Sequence, residues 1–82
     1  MNLGYELRYR QVDRLSPEEL ATRLRRSCTR LGWQMGDLRK NGDGAVEVTG
    51  SQGARRIAIR VRPVQGAEKE VYIVCGDGLY GE

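Results

Sequence analysis

The stretch SPEELATRLRRSCTRLGW, residues 16–33, predicts one helix together with both of its ends. Ser16 at the N-cap, Pro17 at the first helical position and Glu19 at the third form a capping box. The apolar residues recur at spacings of four, four and three and so share one face: Leu20, Leu24, Cys28 and Leu31. Gly32 can adopt the left-handed conformation that commonly ends a helix, so the helix should stop there.

The segment before the helix, YELRYRQV at residues 5–12, alternates apolar and polar side chains as a half-buried strand does. One face carries Tyr5, Leu7 and Tyr9, and the other carries Glu6, Arg8 and Arg10. This segment is the first predicted strand, and its position in the sheet stays open.

Four further strand-like segments follow the helix, separated by glycine-containing turns. They span residues 33–40, 45–49, 54–62 and 69–75, with turns at 41–42 and 50–53 and a looser loop at 64–68. The order β-α-β-β-β-β predicts an α+β fold, in which one helix packs on one face of a mostly antiparallel meander sheet. We expect a single domain over residues 1–75 and a flexible, glycine-rich tail over residues 76–82.

The Asn41-Gly42 pair is the strongest hairpin signal in the chain and sets the first predicted register. With these two residues as the turn, Met35 faces Val48 toward the helix, and Leu38 faces Ala45 on the opposite face. Leu38 is therefore expected on the side of the sheet that the helix leaves uncovered.

The last hairpin has a second predicted register, which opposes Ile59 to Ile73. It also sets Arg60 against Tyr72 and Arg62 against Glu70, a cation-π pair and an ion pair. The face toward the helix is then expected to hold Tyr5, Leu7, Tyr9, Trp33, Met35, Val46, Val48, Ile57, Ile59, Val61, Val71 and Ile73.

Composition excludes several classes of chemistry. The 82 residues include 14 basic and 11 acidic side chains, for a net charge of +3, and no histidine. Without histidine there is no Ser-His or Cys-His nucleophilic catalysis. Two cysteines are too few for a structural zinc site, and no apolar run approaches the roughly 20 residues that span a bilayer. We expect a cytoplasmic protein that is not an enzyme and has no catalytic, cofactor or metal site.

Two local motifs resemble known binding loops but lack the context that makes them work. Residues 76–81, GDGLYG, match the dinucleotide pattern GxGxxG, yet the chain ends before a helix could follow. Residues 37–44, DLRKNGDG, look like a calcium loop, but the ligand spacing is wrong. Neither motif predicts a site.

The two cysteines, Cys28 and Cys75, are both predicted to face the space between helix and sheet. They could form a disulfide there or remain free thiols. Without a secretion signal we favour free thiols.

The sheet face away from the helix is the candidate interaction surface, because one helix cannot cover both faces. Its expected members mix arginine, tyrosine and small apolar residues, as protein interfaces do. They are Arg8, Arg10, Leu38, Arg56, Ala58, Arg60, Arg62, Tyr72 and Val74. A secondary basic stripe, Arg23, Arg26 and Arg30, follows the exposed side of the helix.

Two functional hypotheses follow from these surfaces. The first is a non-catalytic protein-protein interaction module, a small accessory or inhibitory protein. It would use the exposed sheet face or a sheet edge to bind another protein or a second copy of itself. The alternative is a nucleic-acid-binding domain that uses the arginines of the sheet face and the helix. Neither hypothesis needs a membrane or a small-molecule cofactor.

Overall fold

The helix begins and ends where the sequence predicts. A computed structural model describes residues 4–77, apart from the side chains of Tyr5 and Asp77, and its helix α1 spans Pro17–Arg30. The Glu19 backbone N–H donates to Ser16 Oγ at 3.1 Å, and the Ser16 backbone N–H donates to Glu19 Oε1 at 2.8 Å. This reciprocal pair is the predicted capping box.

The C-terminal end of α1 is closed by a Schellman arrangement. Gly32 has φ 96°, and its N–H donates to the Thr29 carbonyl at 3.1 Å. The Trp33 N–H folds back to the Cys28 carbonyl at 3.0 Å. Leu31, at the C-cap, is 73% exposed, so its expected place on the buried helix face is wrong.

Six strands form one antiparallel sheet in the order β1-β6-β5-β4-β2, with β3 also paired to β4. Their bounds are β1 Tyr5–Val12, β2 Gln34–Met35, β3 Arg39–Lys40, β4 Val46–Gln52, β5 Arg55–Gln65 and β6 Glu68–Asp77. The predicted α+β class with one helix on an antiparallel sheet is confirmed. The chain brings its first strand back beside its last, so β1 forms one edge of the sheet.

The turn before β4 is longer than predicted, and the two-residue turn at Asn41-Gly42 is wrong. The Asn41 N–H donates to the Ala45 carbonyl at 2.8 Å, which closes a loop of three residues, 42–44. The Asp43 carboxylate accepts from the Ala45 N–H at 3.0 Å, and Gly44 adopts φ 88°. An aspartate that binds the backbone two residues on stabilises this wider turn.

The wider turn also changes the register, and the predicted partners of Met35 and Leu38 are wrong. Met35 lies opposite Gly50 instead of Val48. Residues 36–38 interrupt the edge between β2 and β3, and the register of β2 against β4 differs by one position from that of β3. Leu38 therefore packs against the hydrophobic core instead of lying on the far face of the sheet.

Three other predicted strand ends lie further along the chain than expected. β4 continues to Gln52, and the turn that follows is Gly53-Ala54, with Gly53 at φ 64°. Pro63 does not end β5, which continues through a register irregularity to Gln65. Gly76 and Asp77, expected in the tail, belong to β6, and the rest of that tail lies outside the described residues.

The core lies between α1 and the central strands. Its buried members are Leu20, Ala21, Val46, Val48, Ile57, Ile59, Val61, Val71 and Cys75. α1 packs over β5, β4 and β2, so β1 lies two strands away from the part of the sheet that it covers. As a result Leu7, expected in the core, is 48% exposed. Within residues 4–77, α1 is too short and too polar to cross a bilayer.

Candidate functional site: the outer face of the sheet

The outer face, defined here as the sheet face away from α1, brings together side chains from four strands. The pairing of β5 with β6 opposes Ile59 to Ile73 and Arg60 to Tyr72, which confirms the predicted register. β1 adds Arg8 opposite Tyr72 on the other side of β6. Strand alternation therefore places on this face the predicted interaction residues other than Leu38: Arg8, Arg10, Arg56, Ala58, Arg60, Arg62, Tyr72 and Val74.

Tyr72 lies near the centre of the outer face and is held by two side chains of β1. The Arg8 guanidinium carbon lies 4.6 Å from the centroid of the Tyr72 ring. The Tyr72 hydroxyl donates to the Glu6 carboxylate, and this hydrogen bond raises the pKa of Tyr72. The predicted cation-π partner, Arg60, is replaced by Arg8, so β1 rather than β5 supplies the cation.

Arg62 and Arg10 each form an ion pair with a carboxylate of β6. Arg62 Nε donates to Glu70 Oε1 at 2.8 Å, the pair that the register predicts. This hydrogen bond is the largest cause that lowers the pKa of Glu70. Arg10 Nη1 lies 3.7 Å from Glu68 Oε2. Both arginines are therefore partly neutralised within the sheet.

Arg60 lies between two further carboxylates. Its Nη2 atom is 3.4 Å from Asp43 Oδ2, and its buried Nε atom is 3.6 Å from Glu47 Oε2, beyond hydrogen-bonding distance. Asn41 Nδ2 donates to the same Glu47 oxygen at 3.2 Å. The Ala45 backbone N–H and then Arg60 lower the pKa of Asp43.

The sequence places two acidic residues of the outer face, Glu6 beside Arg8 and Glu70 opposite Arg62, but misses the others. Glu47 and Glu68 have the same strand parity as the arginines, and that parity could have placed them here. Asp43 could not have been placed, because it reaches Arg60 from a loop of unpredicted length. With these acids included, the outer face carries nearly balanced charge.

Two shallow depressions share the walls formed by Tyr72 and Arg60. The first, of about 260 Å³, is lined by charged and aromatic groups: Arg8, Arg60, Arg62, Glu70 and Tyr72. The second, of about 320 Å³, is lined mainly by small and apolar groups: Glu47, Thr49, Ala58, Ile59, Arg60, Tyr72 and Val74. Together they offer an apolar centre with an ion-paired rim, the composition of a protein-docking patch.

The helix stripe differs from Arg10, Arg60 and Arg62 of the outer face because none of its arginines forms an ion pair with a described residue. Arg23, Arg26 and Arg30 are exposed and have no acidic partner within 4.0 Å among residues 4–77. Glu19, one turn before Arg23, uses its carboxylate in the capping box. The stripe is therefore the less neutralised cationic surface of the described chain.

The two cysteines are free thiols at the interface between helix and sheet. Cys75 is buried, and Arg55 Nη2 approaches its sulfur at 3.5 Å. Burial raises the pKa of the Cys28 thiol, and the nearby Cys75 raises it further. Cys28 is therefore held in the neutral form, which is the less reactive one.

Comparisons with models of protein families, with curated proteins and with solved structures found no match. Within residues 4–77 no three cysteine or acidic side chains lie close enough together to hold a metal ion. A function for this protein must therefore be inferred from the geometry and charge of its surfaces. These surfaces are the outer face, the β1 edge of the sheet and the helix stripe.

Proposed function

We propose that this protein is a non-catalytic protein-protein interaction module, a small accessory or inhibitory protein that docks through the outer face. The observation that carries the proposal is the pairing of Arg10, Arg60 and Arg62 with carboxylates around an apolar centre. A surface of this kind matches the polar rim and less polar core of protein interfaces.

Charge favours a protein partner over a nucleic acid at this face. Protein cations that bind a phosphate backbone release the counterions condensed on the nucleic acid, and the affinity grows with the number of unneutralised cations. Arg60, Arg62 and Arg10 already contact carboxylates, so binding phosphates there would require breaking those pairs. A protein partner that carries both signs of charge can exchange ion pairs with the rim instead.

The apolar centre supplies the part of an interface that contributes most of the binding energy. Tyr72 is fixed by Arg8 and Glu6, so little side-chain entropy is lost when a partner packs on its ring. Ala58 and Val74 lie beside it and are half-buried, which leaves room for an apolar side chain of the partner. Tyrosine and arginine are, with tryptophan, the residue types most enriched among energetically dominant interface positions.

We place this function in the cytoplasm. Free Cys28 and Cys75 thiols between helix and sheet support that location, because oxidising compartments favour disulfides.

A second candidate function, nucleic-acid binding, is supported by the helix stripe rather than by the sheet. Arg23, Arg26 and Arg30 are exposed without acidic partners among the described residues, as phosphate contacts require. If these three arginines contacted duplex DNA, log affinity would fall with log salt at a slope of about −2.7.

The primary test compares the wild-type chain with Ala58→Glu and with a control, Ser27→Glu. The first substitution puts a charge into the apolar centre, and the second puts the same charge on the exposed side of α1. Proteins captured by each variant are identified, and a captured protein is then purified and titrated by calorimetry. We expect saturable binding that weakens about tenfold or more in Ala58→Glu and stays unchanged in Ser27→Glu.

A parallel titration with labelled oligonucleotides tests the second candidate. Fluorescence anisotropy is measured at low and physiological salt, for wild type and for the triple variant Arg23→Ala/Arg26→Ala/Arg30→Ala. Salt-dependent binding that the triple variant loses would establish the helix stripe as the site. That result, together with a captured protein that binds Ala58→Glu normally, would replace the protein-docking proposal.

A further inference from the structure

β1 forms the longer and more regular of the two edges of the described sheet. β1 is eight residues long, contains no proline, and pairs without interruption to β6 from Tyr5 to Val12. The opposite edge is divided between β2 and β3, which have two residues each and an interruption between them. Short or broken edges resist pairing with other chains, whereas a long regular edge is a template for it.

We infer that β1 pairs antiparallel with β1 of a second copy of this chain, with the two-fold axis passing at Leu7. The two sheets then continue into one another, and residues 4–10 of each copy form the seam. This inference deepens the proposed protein-binding function, on which it rests, by naming the partner of the sheet edge. Glu6 and Arg8 belong to the seam and also contact Tyr72 on the outer face. Leu7 lies only in the seam and Ala58 only on the outer face, so variants at these two positions test the two surfaces separately.

Charge along β1 favours this register over the neighbouring ones. In a two-fold pair, residue Leu7 opposes itself and Glu6 opposes Arg8 of the other copy, which gives two ion pairs across the seam. Moving the axis to Arg8 opposes the two Arg8 side chains directly. Moving it to Tyr9 opposes Arg8 to Arg10 twice. Like charges directly opposite each other destabilise a strand pair, so the Leu7-centred register is preferred.

The exposure of Leu7 supports the same axis. Leu7 lies on the side of the sheet that carries α1, but α1 packs over β5, β4 and β2 and leaves it 48% exposed. The residue opposite Leu7 on β6 is Ile73, which is itself only partly buried. At the two-fold axis the two Leu7 side chains are cross-strand neighbours, about 4.5 to 5.5 Å apart at Cβ, and cover each other.

The seam is small, so the dimer is a weak one. A contact of seven residues from each strand is shorter than the 20 to 30 residues a side that form an interface of about 1,600 Å². We therefore expect an equilibrium between monomer and dimer, in which the dimer fraction rises as the protein concentration is increased into the millimolar range.

The test measures the dissociation constant of this equilibrium by sedimentation for the full chain and for two lysine variants. Leu7→Lys places two like charges at the two-fold axis, and we expect its dissociation constant to rise about tenfold or more. Val12→Lys is the matched control. Val12 is 71% exposed on the same strand but lies outside the seam, so its variant should dimerise like the wild type.

A charge exchange tests the register itself. In Arg8→Glu, both pairs between positions 6 and 8 across the seam bring two acidic side chains together, so the dimer should weaken. The double variant Glu6→Arg/Arg8→Glu has opposite charges at these pairs again and should restore the dimer. Circular dichroism of each variant confirms that the monomer is folded.

A wild-type chain that stays monomeric at every concentration overturns the inference. A dimer that survives Leu7→Lys overturns it as well, as does a dimer that the charge exchange fails to restore. None of these results affects docking at Ala58, which the calorimetric titration decides separately. Loss of the dimer in Ala58→Glu with retention in Leu7→Lys would show that the copies meet through the outer face instead.

Discussion

Replacing Lys69 with methionine removes a buried ammonium group that ties the end of β1 to β6. The Lys69 side chain is 4% exposed, and its Nζ atom lies 2.9 Å from Asp13 Oδ1, 3.2 Å from the Asp13 carbonyl and 2.9 Å from the Ala67 carbonyl. The ammonium is therefore fully hydrogen-bonded despite its burial. Methionine has a similar length and can fill the same space, but it leaves all three acceptors without this donor.

The expected loss of unfolding free energy depends on how exposed Asp13, the partner of Lys69, is to solvent. Breaking a buried ion pair costs about 3 to 5 kcal/mol when the remaining charge stays buried. Asp13 is 27% exposed and can regain water, so we expect Lys69→Met to lose about 2 to 3 kcal/mol of unfolding free energy. For a chain of this length that corresponds to a fall of roughly 10 to 20 °C in Tm.

The contact between Lys69 and Asp13 also makes the unfolding free energy depend on pH. The hydrogen bond from Lys69 is the largest cause that lowers the pKa of Asp13 from 3.8 to about 2, and one from Gln11 adds to it. A carboxylate with a depressed pKa in the folded state stabilises the fold above its unfolded pKa, and this stabilisation is lost as pH falls. The difference in stability between wild type and Lys69→Met should therefore shrink as pH falls from about 4 to about 2.

Urea unfolding followed by circular dichroism at neutral and acid pH measures both effects. Lys40→Met is the matched control, because Lys40 is 64% exposed and pairs with Glu18 at 3.7 Å. An exposed pair of this kind contributes at most about 1 kcal/mol. If Lys69→Met is as stable as wild type at neutral pH, or if the difference does not change with pH, the assigned role of Lys69 is wrong.

Three further predictions concern stability and are measured by the same urea unfolding. Gly32→Ala should lose about 1 to 2 kcal/mol, because Gly32 has φ 96° and an added Cβ would lie 2.7 Å from Gln52 Nε2. Gly42→Ala, which meets no atom within 4 Å, should lose nothing, and equal losses in both variants would contradict the strain assigned to Gly32. Ser16→Ala should lose about 1 kcal/mol through the capping box, and an unchanged midpoint would show that the cap contributes nothing. Ile59→Ala should lose about 2 to 5 kcal/mol, because Ile59 is 1% exposed in the central strand, and a loss below 1 kcal/mol would mean that the core is loosely packed there.

Features with a local physical cause could be predicted from the sequence. The capping box and Gly32 define the ends of α1 because their hydrogen bonds involve residues three to five apart in the chain. The alternation of Tyr5–Val12 predicts β1 with its observed bounds. The pairing of β5 with β6 follows from matching two alternating apolar rows, since a slip of one residue would expose both rows.

Features that depend on competing local and tertiary contacts could not be predicted. Asn41-Gly42 favours a tight hairpin, but the hydrogen bond from the Ala45 N–H to Asp43 stabilises a longer loop in its place. That loop turns Leu38 into the core. The width of sheet that α1 covers is likewise absent from any periodicity, which is why Leu7 was expected to be buried.

In the candidate site, too, some features could be predicted from the sequence and others could not. Strand parity places Arg60 and Tyr72 on the outer face correctly, because parity is a property of the backbone. The ion pairs of Arg60 with Asp43 and Glu47 depend on the loop before β4 and on the rotamers of long side chains. The sequence therefore predicts a basic face, whereas the structure has a nearly neutral one.

The measurement that tests the proposed docking face most directly is a nuclear magnetic resonance titration of the isotope-labelled chain with a purified captured protein. Docking at the outer face predicts that the shifted backbone amides centre on Ala58, Tyr72 and Val74 and fade toward α1. Shifts that centre instead on Arg23, Arg26 and Arg30, with β5 and β6 unchanged, would contradict it.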